Sequence, residues 1–75
     1  MRTDLEFMAR ALQLAERGRF TTDPNPRVGC VLIKEGRIIG EGWHERAGQA
    51  HAEINALKNA IEDVQGATAY VTLEP

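Results

Sequence analysis

The 75-residue sequence predicts a small α/β domain on three observations: a capped amphipathic helix at the start, an almost continuous apolar run rich in branched residues, and a second helical pattern lying between two strand-like stretches. The expected order is helix, strand, strand, helix, strand. No repeat, low-complexity segment or internal boundary divides residues 1–75.

Thr3 and Glu6 have the capping-box spacing, in which the hydroxyl accepts from one orphan amide and the carboxylate reaches back to another. Leu5, Met8, Ala9, Leu12 and Ala15, with Ala11 beside them, recur at intervals of three and four. They predict a helix over 4–17 with that stripe inward, and Gly18 is placed to end it. "TTDPNP" (21–26) reads as a rigid loop, because each proline fixes its own φ and extends the residue before it. "VGCVLI" (28–33) reads as a strand buried on both faces. Glu35 and Gly36 centre a tight turn, and "RIIGEGW" (37–43) returns as a second strand, in which Gly40 and Gly42 signal a bulge or the close approach of another backbone. Ile54, Leu57, Lys58 and Ile61 predict one face of a helix from about 51 to 63, closed by "QGAT", and "TAYVTL" (68–73) reads as a third strand. The passage from the second strand through this helix to the third fits a right-handed crossover joining a parallel pair, with ligands expected near strand ends and helix N-termini.

A chain this short buries only about 60% of the surface its unfolded form exposes, so such domains lean on a metal, a disulfide or a partner. Cys30 is the only cysteine, which excludes an internal disulfide and a multi-cysteine metal site within these residues; the thiol suits a reducing compartment. The N-terminal twenty residues mix charge with apolar side chains and do not read as a signal peptide, and no segment is long enough to span a membrane, so the cytoplasm is the expected location. Nine Lys and Arg against eleven Asp and Glu give a net charge of −2 without a run of either sign. That balance argues against nucleic acid and for a small-molecule substrate, although seven of the cations are arginines suited to phosphate.

Chemistry concentrates at "HAE" (51–53), where the second helix begins. Two ligands on one helical face need a spacing of three or four, so His51 and Glu53, two apart, are better suited to different tasks: one binding a metal, the other managing protons beside it. The tripeptide alone is equally compatible with an ordinary helix entrance, Glu53 being a first-turn acid favoured by the helix dipole.

Taken with "NPRVGCVLI" (25–33), "IIGEGWHERAGQAHAE" (38–53) and "ATAYVTLEP" (67–75), the tripeptide makes the sequence resemble the zinc-dependent cytidine deaminase superfamily over essentially its whole length. Within it the resemblance is strongest to the deaminases of riboflavin biosynthesis. His-x-Glu is half of the general signature of zinc nucleobase deaminases. The resemblance implies a cytidine-deaminase-like three-layer αβα sandwich, of which residues 1–75 are the N-terminal portion. It implies His51 as a zinc ligand and Glu53 as the catalytic proton shuttle for hydrolytic deamination of a diaminohydroxyphosphoribosylaminopyrimidine, a pyrimidine nucleotide-like substrate. Asn25, His44 and Ala52 would bind that substrate: Asn25 through its amide, His44 through a ring nitrogen, Ala52 through its backbone. Asn25 is equally readable as a turn residue; His44 is also readable as an exposed loop histidine, but the spacing of "GWH", "AG" and "HAE" favours a functional role. Cys30, mid-strand, reads as a small buried hydrophobe and not a ligand.

The resemblance further implies two cysteine ligands directly after a segment like "TLEP" (72–75). Residues 1–75 supply one zinc ligand where a catalytic site needs three, so they are expected to hold zinc weakly and to lack turnover by themselves. NADPH is implied only for the reductase domain of bifunctional members, which these residues do not include, and the superfamily's habit suggests a homo-oligomer. Two other readings compete: a different deaminase of the superfamily, acting on tRNA adenosine, nucleotides or guanine, and a non-catalytic truncated domain with an unprotected strand edge.

Overall fold

In a computed structural model, which describes residues 3–17, 27–45 and 51–74, five elements follow the expected order. They are α1 (Asp4–Glu16), β1 (Arg27–Lys34), β2 (Arg37–Trp43), α2 (Ala52–Lys58) and β3 (Thr68–Glu74). The "TTDPNP" loop and Gly18 lie outside the described residues.

The α1 helix begins as its sequence dictates. Thr3 Oγ1 accepts from the Glu6 amide at 3.3 Å, and Glu6 Oε1 accepts from the Thr3 amide at 3.4 Å, completing the capping box. Thr3→Ala is expected to cost about 1 kcal/mol in chemical denaturation, because it leaves a first-turn amide without its acceptor.

The inward face of α1 differs from the expected stripe. Phe7, Ala11, Leu14 and Ala15 are buried, whereas Leu5 is 81% exposed and Leu12 half exposed. The reason lies in β1. A Cβ on Gly29 would come within 1.9 Å of the Ala11 carbonyl oxygen, so the backbone of α1 rests directly on this glycine. Only a helix face carrying alanines can approach that closely, and the leucine face is excluded.

The sheet order is β2-β1-β3, with β1 antiparallel to both neighbours. The apolar run was expected to be a strand buried on both faces, and it is the central strand. Glu35 (φ 52°) and Gly36 (φ 76°) close the β1–β2 hairpin, both left-handed as a type I′ turn requires. The expected parallel pair takes another form: β2 and β3 run parallel to each other, but β1 lies between them. The branched, doubly buried β1 takes the central place, and β2 is left at an edge.

Side chains alternate across β1. Val31 and Ile33 join Phe7, Ala11 and Leu14 on the α1 side, while Cys30 and Leu32 join Ile39, Ala52 and Ala56 on the α2 side. The result is three layers, helix on sheet on helix. The register shifts where Leu32 pairs with Gly40 and Ile33 with Ile38, leaving Ile39 as the extra residue of a bulge. Gly42 meets the second expectation for the glycines, close approach: a Cβ there would lie 2.3 Å from the Ala56 nitrogen and 2.4 Å from the Ala52 oxygen.

α2 is shorter than the expected span of 51–63 and uses a different face. It ends at Lys58, with Asn59 as its C-cap, and the chain then turns so that the Ile61 amide donates to the Ile39 carbonyl at 2.9 Å. Ile54 and Leu57 are half exposed and Ile61 is 77% exposed, while Ala52 and Ala56 are buried. Again a glycine-lined strand selects the alanine face. "QGAT" therefore does not close the helix but forms the turn entering β3, with Gly66 at φ 82°.

Candidate active site

The site residues collect where β2 runs out and α2 begins. Beyond Trp43 the chain makes one more sheet hydrogen bond, from the His44 amide to the Val28 carbonyl at 3.0 Å, which continues the β1 pairing and turns His44 inward. His44 is 4% exposed, so it is not the exposed loop histidine that the sequence left open. Its Nε2 is buried without a hydrogen-bond partner. An unpaired buried ring nitrogen costs free energy unless something polar meets it, which makes this atom a candidate for contact with a bound group.

His51 is the N-cap of α2, exposed, with extended backbone and no side-chain capping bond. Its ring centroid lies 5.5 Å from that of His44 at an interplanar angle of 51°. The structure thus brings two of the expected residues together from separate elements. Glu53 follows in the first turn, exposed. Ala52 between them is fully buried, with its carbonyl turned toward Gly42; its own amide, at the first helical position, has no partner within the helix. Asn25 lies outside the described residues.

Among the described residues no cluster of three or more His, Cys, Asp or Glu side chains could hold a metal ion. His51 has the chemistry and exposure of a zinc ligand. Cys30 does not: it is fully buried mid-strand, and burial, helped by the Glu53 charge, pushes its thiol up to about 11. A metal needs the thiolate, and this thiol keeps its proton. The described residues therefore fit part of a zinc site and leave the rest of the ligand set to other residues.

The raised thiol pKa has a consequence for stability. The folded state holds the Cys30 proton more tightly than the unfolded chain, where a thiol titrates near its ordinary 9.0. Stability from this source is complete below pH 9 and declines as pH rises toward 11, by roughly 2 kcal/mol in all. Denaturation curves for the parent and Cys30→Ala should show this alkaline loss in the parent alone.

Two residues important to the site's geometry were not found from the sequence. Asn55 Nδ2 donates to the Trp43 carbonyl at 2.8 Å and Asn59 Nδ2 to the Glu41 carbonyl at 3.0 Å. Their spacing of four is the available signal, and both lie off the apolar Ile54, Leu57 and Ile61 positions by which the sequence marks this helix. Elsewhere, Arg10 grips Glu41 through Nε and Nη2 at 2.6 and 2.9 Å, tying α1 to β2. Two surface grooves flank β2, and neither is lined by His51 or Glu53.

Comparison with known proteins identifies the family and the fold. A family described as the cytidine and deoxycytidylate deaminase zinc-binding region matches residues 1–75. The riboflavin biosynthesis protein RibD of Escherichia coli (strain K12) is 67% identical over 72 residues, which is 96% of this chain and 20% of that protein. The diaminohydroxyphosphoribosylamino-pyrimidine deaminase of Buchnera aphidicola subsp. Acyrthosiphon pisum is 62% identical over 72 residues, covering 49% of its length. Among solved structures, Acinetobacter baumannii RibD superposes with a TM-score of 0.88 at 56% identity, covering 92% of this chain and 19% of that one. The chain thus spans about a fifth of the RibD proteins and about half of the Buchnera deaminase. With the family matched from end to end and the fold shared with RibD at high identity, the chain belongs to the zinc-binding cytidine and deoxycytidylate deaminase family.

Proposed function

We propose that residues 1–75 are the N-terminal portion of a zinc-dependent deaminase domain that hydrolyses the ring amine of a diaminohydroxyphosphoribosylaminopyrimidine in riboflavin biosynthesis. The observation that carries this reading is the placement of His51, at the entrance of α2, against the ring of buried His44, whose Nε2 has no hydrogen-bond partner, with Glu53 in the first turn of the same helix. The names of the similar proteins point to the same pathway.

In this reading His51 is a zinc ligand, and the remaining ligands come from outside the described residues. When bound, zinc makes a water acidic enough to deprotonate near neutral pH. Glu53, exposed at the helix N-terminus, would take that proton and pass it to the ring nitrogen, then take the second proton from the hydroxyl added at the carbon and pass it to the departing amine. Water adds at the amine-bearing carbon, ammonia leaves, and a carbonyl remains. His44 offers Nε2 to the substrate, Asn25 its amide and Ala52 its backbone N–H. NADPH belongs only to a reductase domain of bifunctional relatives. The substrate is a small phosphorylated molecule and not nucleic acid; the location is cytoplasmic, because such a phosphorylated intermediate does not cross membranes unaided; the assembly is a homo-oligomer.

The test is ammonia release by the full gene product from the diaminopyrimidinone ribosyl phosphate, beside cytidine, guanine and tRNA adenosine. The reading expects turnover of the first at least a hundredfold above the others. Preference for any of the other three would overturn the substrate assignment. The 75 residues alone are expected to release none.

A further inference from the structure

We infer that Asn55 and Asn59 are positioning residues that clamp α2 onto the outer edge of β2 in a single register, and so hold His51 against His44 and fix the place of Glu53 in the first turn. The inference rests on the deaminase reading for its catalytic consequence, but the clamp itself stands on geometry.

β2 is an edge strand, and its outer carbonyls need partners. Three of them, on alternate residues, are met in order: Trp43 by Asn55 Nδ2, Glu41 by Asn59 Nδ2 and Ile39 by the Ile61 amide, at 2.8, 3.0 and 2.9 Å. The match is metrical. Four residues of helix advance about 6 Å, and two residues of strand about 6.6 Å. Asparagines four apart therefore meet carbonyls two apart when the helix runs antiparallel to the strand, and a slip in either direction breaks the series.

The clamp has little competition in setting that register. The sheet-facing side of α2 consists of Ala52 and Ala56, set over glycine backbone and against Leu32 and Ile39, so the helix itself sends no large side chain into the sheet. Its outer face, with Ile54 and Leu57 half exposed, makes little contribution. His51 brings no side-chain capping bond of its own. Packing thus sets how close the helix lies, and the amide ladder sets where along the strand it stops. Asn55 bonds the last residue of β2, immediately before His44, so the strand end carrying one site residue and the helix carrying two others are tied one turn from the chemistry.

The experiment compares Asn55→Asp and Asn59→Asp with the parent in the full gene product. Aspartate keeps the shape of asparagine but cannot donate when ionised. Amide hydrogen exchange of α2 should quicken about tenfold in each variant, with α1 unchanged. For Asn55→Asp, kcat should fall at least tenfold with KM within twofold, and Asn55→Gln, which keeps an amide on a longer stem, should recover most of it. Unchanged α2 exchange in both variants would overturn the clamp. Faster exchange with kcat within twofold of the parent would overturn the positioning role. A parent that deaminates nothing would refute the deaminase reading alone, and exchange would still decide the clamp.

Discussion

Gly42→Ala is expected to remove both the stability of the domain and the geometry of its site. The added methyl would stand 2.3 Å from the Ala56 nitrogen and 2.4 Å from the Ala52 oxygen, and these are backbone atoms with no side-chain rotation available to make room. The helix must lift by about an ångström, which puts the cost at the upper end of the about 1–3 kcal/mol typical of overpacking a core. Lifting α2 also moves His51 and Glu53 away from His44, and a displacement of that size can lower turnover about a hundredfold. Gly29→Ala provides the comparison. Its methyl strikes α1 at 1.9 Å, so it should destabilise at least as much while leaving the folded fraction with normal kinetics. Gly66→Ala meets nothing within 4 Å and carries only the penalty of its φ of 82°, about 1 kcal/mol. Thermal melts of the three variants, with kinetics corrected for the folded fraction, check the ranking.

Glu53→Gln is expected to lower turnover by a factor of roughly 10² to 10⁴ while stability falls by no more than about half a kcal/mol, the helix-dipole contribution of a first-turn acid. The side chain is exposed and has no other structural task that glutamine would fail, so stability should otherwise hold. What glutamine lacks is a proton site. A base that must accept and then return protons cannot be replaced by an amide, so kcat should fall while KM changes little. An ordinary helix-entrance acid would show the same dipole loss of about half a kcal/mol and leave turnover intact, so turnover is what separates the two readings.

Some of this architecture was plain in the residues. The Thr3–Glu6 capping box, the Glu35–Gly36 turn and the apolar β1 each follow from local chemistry, and each formed where expected. Which helix face turns inward was not legible, because Leu5, Met8 and Leu12 look as suited to a core as the Phe7 and Leu14 that are buried beside Ala11 and Ala15. The deciding partner, Gly29, is distant in sequence, and no periodicity within α1 shows it. The same holds for α2, where Gly40 and Gly42 favour Ala52 and Ala56 over Ile54 and Leu57. Its early end at Lys58 depends on Asn59 and Ile61 meeting carbonyls of a strand about twenty residues earlier. At the site, the helix-entrance position of His51 and Glu53 was readable from spacing. The burial of His44 was not, since it follows from one hydrogen bond to Val28 across the sheet.

The division of labour between His51 and Glu53 is tested most directly by the zinc content of the full gene product and its His51→Ala and Glu53→Gln variants after equal exposure to zinc and gel filtration. The account expects about one zinc per protomer in the parent and in Glu53→Gln, and a loss of most of it in His51→Ala, since removing one of three protein ligands opens the site. Full zinc retention in His51→Ala, or its loss in Glu53→Gln, would contradict the assignment of ligand and proton shuttle.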